Sequence, residues 1–360
     1  MFFESFERAL IHCSCILKKN EKFSILKLNA ETEKNYLVLK VELNGLGALE
    51  KEAKRLIELK NSSTFYEKKI PEIVHCGRFE SGILKGHFFY LMEFIDGETV
   101  SQLLDKSKVK IDICSEFLFV FTTLAQEIKT TDILAPNLKL SDLLADIKVN
   151  YEAIKSSILF SSIYNSESLH INNQTYDNPL INFDQFCTKI ENIMKIDQLK
   201  DGHKLHNNYH GGNVIFSREK DHFYTIDPDV SVKVCDTTFG LARLIYTPLH
   251  EQCEKNTYTF EFTVNQGVKI SSTVVDVNPE LSSIWHDEIV CVINTIKSLS
   301  DASFKRRLWL SLVQCLIRGI TANYSTKLEF NKNLLISHPS AYLFFCLVVC
   351  WDLIEEVEKV

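Results

Sequence analysis

The sequence predicts an α+β chain in two lobes: a small antiparallel β lobe with one helix, then a larger, mostly helical lobe. Three observations predict it. Short apolar runs parted by polar turns fill the first hundred residues, and from Glu98 onward apolar residues recur at spacings of three and four. The chain also has 360 residues, more than the roughly 250–300 at which single cores stop growing. The expected boundary lies near Asp96, giving lobes 1–96 and 97–360.

In the first lobe, Cys13–Lys18, Phe23–Asn29 and Tyr36–Leu43 read as strands of a meander, with Lys19-Asn20-Glu21 and Ala30–Asn35 as turns. Leu46, Leu49, Ala53, Leu56 and Leu59 mark an amphipathic helix. Strands resume at Ile73–Phe79 and His87–Ile95, joined by a turn containing Gly82 and Gly86. In the second lobe, helices are expected over Val100–Leu104, Ile111–Lys129, Leu138–Phe160, Phe183–Leu199, Asp236–Leu249, Glu280–Ser298, Ala302–Asn323 and Ser340–Glu358. Ser161–Pro179 is polar and without period, and reads as a loop. Two short strands are expected at Asn213–Phe216 and Phe223–Ile226. A hairpin is expected over Tyr258–Val264 and Val268–Val277, turning at Asn265-Gln266-Gly267.

Composition excludes several classes. Hydrophobic residues make up 45% and charged residues 24%, so the chain is neither disordered nor a fibre. A net charge of −7 argues against broad nucleic-acid binding, which needs a basic face. The N-terminal apolar run is broken by Glu4, Glu7 and Arg8, unlike a secretory signal. The apolar run Ala341–Trp351 falls short of the roughly 20 residues that span a bilayer, so no membrane role is expected. The 11 cysteines are scattered with no Cys-x-x-Cys pair, as in reduced thiols of a cytoplasmic protein.

The stretch Leu205–Leu244 carries the chemistry. A polar loop with two histidines, Gly211 and Gly212 leads into a strand, a turn and a second strand, and then into Asp227-Pro228-Asp229. Asn213 offers an amide oxygen and Asp227 a carboxylate at the ends of the hairpin, a hard donor set suited to Mg²⁺. Arg306-Arg307 and the Lys51, Lys54, Arg55 group read as charged helix faces, and Asp236 as a structural carboxylate bonding loop backbone.

His206-Asn207-Asn208-Tyr209-His210-Gly211-Gly212-Asn213, followed by Ile226-Asp227-Pro228-Asp229, resembles the catalytic core of the aminoglycoside phosphotransferase and choline kinase family. That family carries His-Gly-Asp-Leu-His-Pro-Gly-Asn and then Ile-Asp on a protein-kinase-like fold. The resemblance implies ATP bound between lobes, Mg²⁺ held by Asn213 and Asp227, and transfer of the γ-phosphoryl group to a hydroxyl of a small molecule. Lys40, in Leu37-Val38-Leu39-Lys40-Val41, resembles the strand lysine that holds the α/β-phosphates. Glu52 resembles the helix glutamate that pairs with it, with Glu50 as the competitor. Glu93, Phe94 and Ile95 resemble the hinge whose backbone bonds the base.

The chain departs from the family at the catalytic base, where Asn208 stands for the aspartate. A carboxylate accepts the acceptor hydroxyl's proton, whereas an amide has no basic site near neutrality. Three readings stay open. Asn208 replaces an aspartate of the parent enzyme, the chain is a natural pseudokinase with a protein partner, or His206 or His210 takes the proton. No Gly-rich loop joins the first two strands.

Overall fold

A computed structural model describes residues 4–29, 36–106, 115–155, 167–171, 174–194, 197–230, 234–255, 260–264, 272–277, 295, 299–324, 335–336 and 339–352. The chain divides into two compact units, one made of residues 1–102 and 211–232, the other of 103–210 and 233–360.

The first unit is built on a five-stranded antiparallel sheet. Helix α1 (Phe6–Ile11) leads into β1 (Cys13–Lys19), β2 (Phe23–Asn29) and β3 (Tyr36–Glu42). Helices α2 (Ala48–Lys60) and α3 (Thr64–Lys69) precede β4 (Ile73–Arg78) and β5 (Phe88–Glu93). The order across the sheet is β1-β2-β3-β5-β4. Asn20 closes the β1–β2 turn by accepting from the backbone N–H groups of Lys22 (2.8 Å) and Phe23 (2.7 Å), the side-chain turn that asparagine favours.

Strand alternation gives the sheet two faces. One face carries Leu26, Leu28, Leu39, Val41, Phe89 and Leu91, packed with Ala9 of α1 and with Phe79. The other carries the partners Ile25 and Lys40, Lys27 and Val38, and Lys40 and Tyr90, set across from one another. Leu49, Ala53, Leu56 and Leu59 form the buried stripe of α2, and Glu52 lies within it. A three-stranded sheet of β6 (Glu98–Thr99), β11 (Val214–Ser217) and β12 (His222–Thr225) completes the unit, in the order β12-β11-β6. Gly97 allows its crossing, since a Cβ there would stand 2.5 Å from the Phe216 carbonyl oxygen.

Helix α4 (Val100–Lys106) carries the chain into the second unit, which holds α5 (Ser115–Asp132), β7 (Asn137–Leu138), α6 (Leu140–Lys155), β8 (Ser168–Ile171) and β9 (Gln174–Asp177). Then come α7 (Phe183–Ile193), β10 (Leu199–Lys200), α8 (Phe239–Lys255), β13 (Phe260–Val264), β14 (Ser272–Val277), α9 (Ala302–Tyr324), β15 (Leu335–Ile336) and α10 (Pro339–Asp352). Its core is helix on helix. Leu308, Leu312, Leu316 and Ile320 of α9 are buried, as are Leu343, Phe344 and Leu347 of α10. Trp351 is sandwiched by Phe186 (4.8 Å between centroids) and Trp309 (5.3 Å). No described helix is long and apolar enough to cross a membrane.

Three expectations are corrected. The first unit carries α1, α2 and α3 where one helix was expected, because α1 and α3 span six residues each, too few to show a helical period. Part of the stretch expected to be a loop, Ser161–Pro179, forms strands β8 and β9 at the end of a second five-stranded sheet, ordered β15-β13-β14-β8-β9. β8 pairs with the distant β14 and β9 pairs with β8, so local polarity concealed both. Arg307 is a buried residue, 5% exposed, not part of a solvated helix face, because two aspartates from distant segments meet it. The helix expected over 280–298 (except Thr295) and the turn at 265–267 lie outside the described residues.

Candidate functional site: a buried lysine between two carboxylates

Lys40 leaves the middle of β3 on the sheet face opposite the Leu39–Phe89 core, and it is 4% exposed. A buried ammonium without a counter-charge is costly, so its partners decide whether the site stands. The Glu52 carboxylate accepts from Lys40 Nζ at 2.8 and 2.9 Å. The Asp227 carboxylate lies against the same ammonium. Glu50, the competing residue on α2, pairs instead with Lys54 (2.9 Å) and Arg78 (2.5 Å) toward solvent. The phase of the helix separates the two glutamates: Glu52 falls on the apolar stripe and Glu50 beside it.

Tyr90 completes the cluster. It stands across from Lys40 in the β3–β5 ladder, is fully buried, and donates its hydroxyl to Glu52 Oε1 at 2.6 Å. Sequence reasoning missed it. The signal was its position three residues before Glu93, which alternation puts on the face of Lys40 once the strand register is known. The Phe23 ring lies 5.3 Å from the Lys40 ammonium.

The electrostatics follow from one cation meeting two anions. Burial works to lower the Lys40 pKa, but Asp227 and Glu52 together overcome it and hold the ammonium above its ordinary value. Burial, followed by the Asp227 carboxylate, pushes Glu52 up to about 8 against the pull of Lys40. Burial, then Glu52, also raises the Tyr90 hydroxyl, which therefore stays a donor.

Asp227 and Asn213 sit at one end of the β11–β12 hairpin. Asn213 ends a single 3₁₀ turn, Gly211–Asn213, and Asp227 follows β12. Ile226 N–H donates to the Asn213 carbonyl at 3.0 Å, and the Asn213 amide approaches the Asp227 carbonyl at 3.4 Å. Asp227 has φ +52°, a left-handed conformation that aspartate tolerates better than most residues. Its side chain is 35% exposed, against 5% for Lys40 and 11% for Glu52. A half-buried carboxylate and an asparagine side chain at one end of a hairpin are the donor types that suit Mg²⁺, which takes one or two protein ligands and completes its shell with water and phosphate oxygens.

In the segment expected to read the base, two N–H groups are already used. Glu93 N–H donates to the Glu72 carbonyl (2.9 Å) and Phe94 N–H to the Tyr36 carbonyl (3.2 Å). Ile95 is 6% exposed.

The loop 205–210 belongs to the second unit. His206 is fully buried, and its ring stacks on Tyr209 at 4.8 Å and 7°. That setting suits a packing role. Asn207 has φ +54°, at the position where the family sequence has glycine, and its amide donates to the Gly202 carbonyl and to Cys235 Sγ (3.4 Å). Asn208 and His210 are half-buried on the same loop. Beneath it Gly202 meets Asp236, whose carbonyl oxygen would lie 2.6 Å from a Cβ there.

Asp236 is fully engaged. It accepts from the backbone N–H groups of Lys200 (2.8 Å) and Thr238 (3.0 Å), and from Arg307 at 3.0–3.2 Å. Arg307 also forks onto Asp132 at 2.5 and 3.0 Å.

No family model matches the chain. No curated protein matches it either. Among solved structures it is similar to the PknI kinase domain of Mycobacterium tuberculosis, at 12% identity and a TM-score of 0.30, over 65% of this chain and 72% of that one. It is also similar to the apo GRMZM2G135359 pseudokinase, at 7% identity and a TM-score of 0.36, over 95% of this chain and 92% of that one. A likeness this small does not by itself show a shared fold.

Proposed function

We propose that the chain is a protein-kinase-like phosphotransferase that binds ATP with Mg²⁺ and moves its γ-phosphoryl group to a hydroxyl of a small molecule. One observation carries this reading: Lys40, Glu52 and Asp227, from a strand, a helix and a hairpin loop, converge on a single buried charge cluster. Such a cluster is a poor way to gain stability, because taking charges out of water offsets most of their attraction. It is an effective way to hold an ammonium ready for phosphate oxygens. Glu52 and the Tyr90 hydroxyl fix the lysine, and Asp227 keeps an accessible side open. Asn213 and Asp227 would hold Mg²⁺, which neutralises phosphate charge when bound. Catalysis of this type rests mainly on positioning and charge, so much of the machinery stands without a strong base.

A second reading is favoured by one specific residue. Asn208 stands where the resembled family has its proton acceptor, and the buried, stacked ring of His206 is badly placed to substitute. Under that reading the chain is a pseudokinase that binds nucleotide and acts through a protein partner.

The test is a melting experiment on the full chain with ATP, with and without Mg²⁺. Ligand at 100 times its dissociation constant adds about 2.7 kcal/mol, a shift of a few degrees for a chain this long. A Mg²⁺-dependent shift that vanishes in Lys40→Met supports the site, and no shift with any nucleotide defeats it. Asn208→Asp then separates the two readings. Restored general-base catalysis is worth about 10²–10⁴-fold in turnover. Absence of turnover in both forms against a panel of small alcohols favours the pseudokinase.

A further inference from the structure

Lys27 stands on the same sheet face as Lys40, one strand over and opposite Val38. Val38 is two residues from Lys40, so the two ammonium-bearing positions are about 7 Å apart along the strands. The Lys27 ammonium sits 3.9 Å from the ring centroid of Tyr36 and 3.9 Å from that of Phe94. Those two rings meet edge to face at 6.0 Å. Cation and rings hold each other in place without consuming the ammonium's N–H donors in strong hydrogen bonds. Ile25 stands across from Lys40, and Val38 and Met92 stand level with Lys27, so apolar side chains share this face with the two cations.

With phosphates at Lys40, a nucleotide laid along this face brings its base to the Phe94 end. The N–H groups of Glu93 and Phe94 are already given to protein carbonyls, so they do not read that base. Lys27 is a side-chain donor near that end, held by the two rings. An ammonium suits a purine that presents two acceptors side by side, the O6 and N7 of guanine or hypoxanthine. Adenine replaces O6 with an amino donor, which faces the ammonium unfavourably.

We propose that Lys27 is a specificity-determining residue that selects a 6-oxopurine nucleotide over an adenine nucleotide. The inference rests on the nucleotide-binding reading above, and it replaces the adenine of that reading with guanine or hypoxanthine.

The experiment is a calorimetric titration of the full chain with ATP, GTP and ITP in the presence of Mg²⁺, repeated on Lys27→Met, Lys27→Arg and Lys40→Met. GTP and ITP are expected to bind at least tenfold more tightly than ATP. Lys27→Met is expected to erase that preference, weakening GTP and ITP about tenfold or more without weakening ATP, and Lys27→Arg to keep it. A thermal melt without nucleotide checks that each variant is folded. Equal binding of all three nucleotides by the native chain, lost in Lys40→Met, overturns the selectivity and leaves the nucleotide site standing. An equal loss for all three in Lys27→Met overturns it too, because the lysine then serves sugar or phosphate. No binding of any nucleotide removes both.

Discussion

Each unit buries one cation between two carboxylates, and the two clusters are built to opposite ends. In the second unit Arg307 presents a planar fork to Asp132 and Asp236, whose side chains are 14% and 1% exposed, and Thr237 fills a remaining position. Every group there is fixed by a second bond: Asp236 holds the backbone of Lys200 and Thr238, and the Thr237 hydroxyl bonds Asp132. In the first unit Lys40 is a point charge on a flexible stem, and Asp227 is 35% exposed on a left-handed residue at the end of a hairpin. A guanidinium suits permanent bidentate contacts, and an ammonium can exchange one oxygen partner for another. The Arg307 cluster of the second unit is a fastening, and the Lys40 cluster of the first unit is an open site. Burial of charge alone distinguishes neither.

The largest expected effect tests the fastening. Arg307→Met leaves two buried aspartates without their cation and is expected to cost about 3–5 kcal/mol, read as a lower urea midpoint. A midpoint near that of the native chain would break the comparison. Lys40→Met is expected to cost much less, about 1–2 kcal/mol, because Asp227 reaches water and Glu52, already drawn up to about 8, takes a proton. That variant is expected to lose the whole Mg²⁺-nucleotide shift in melting temperature, so stability and binding separate at Lys40 and not at Arg307.

A smaller effect is expected in the loop above Asp236. Asn207→Ala places an alanine at φ +54° and removes the bond to Gly202, for about 1–2 kcal/mol. Asn207→Gly relieves the strain and is expected to cost less, which chemical denaturation of the pair would show.

The smallest effect concerns a third buried cation, one that pairs with no carboxylate among the described residues. Lys69 lies 3.2 Å from His222 Nδ1 and 3.8 Å from the Phe223 ring centroid. Burial, helped by Lys68, lowers its pKa from 10.5 to about 8, the reverse of Lys40. With a depressed folded value, the unfolded chain binds more protons across this window. Stability is therefore expected to rise as pH goes from about 8 toward 10.5 and to be level below about 8, where both states hold the proton. The rise is expected to be absent in Lys69→Met, measured by urea titration at several pH values.

Much of the first unit was legible from residue order. The strands through Lys40, the helix carrying Glu52 on its stripe, and the paired positions Asn213 and Asp227 all follow from alternation and helical phase, which are local properties. The strands β8 and β9 were not legible, because their own sequence is polar and β8, which pairs with β9 locally, is anchored by β14 about a hundred residues on. Arg307 was misread for a related reason. Its neighbour Arg306 and the polar helix start look solvated, and only the arrival of Asp132 and Asp236 makes burial of a guanidinium affordable.

The sequence by itself determined which residue types stand at the site: a lysine between apolar neighbours, a glutamate on an apolar stripe, an asparagine and an aspartate bracketing a hairpin, and an amide at residue 208. Tertiary structure alone decided their partners. It brought Glu52 and Asp227 onto Lys40, added Tyr90, set Lys27 between Tyr36 and Phe94, and closed Arg307 onto two aspartates. The physical reason is range. Periodicity records which side of its own element a residue faces, whereas the strength of a buried charge depends on groups that only folding brings within hydrogen-bond distance.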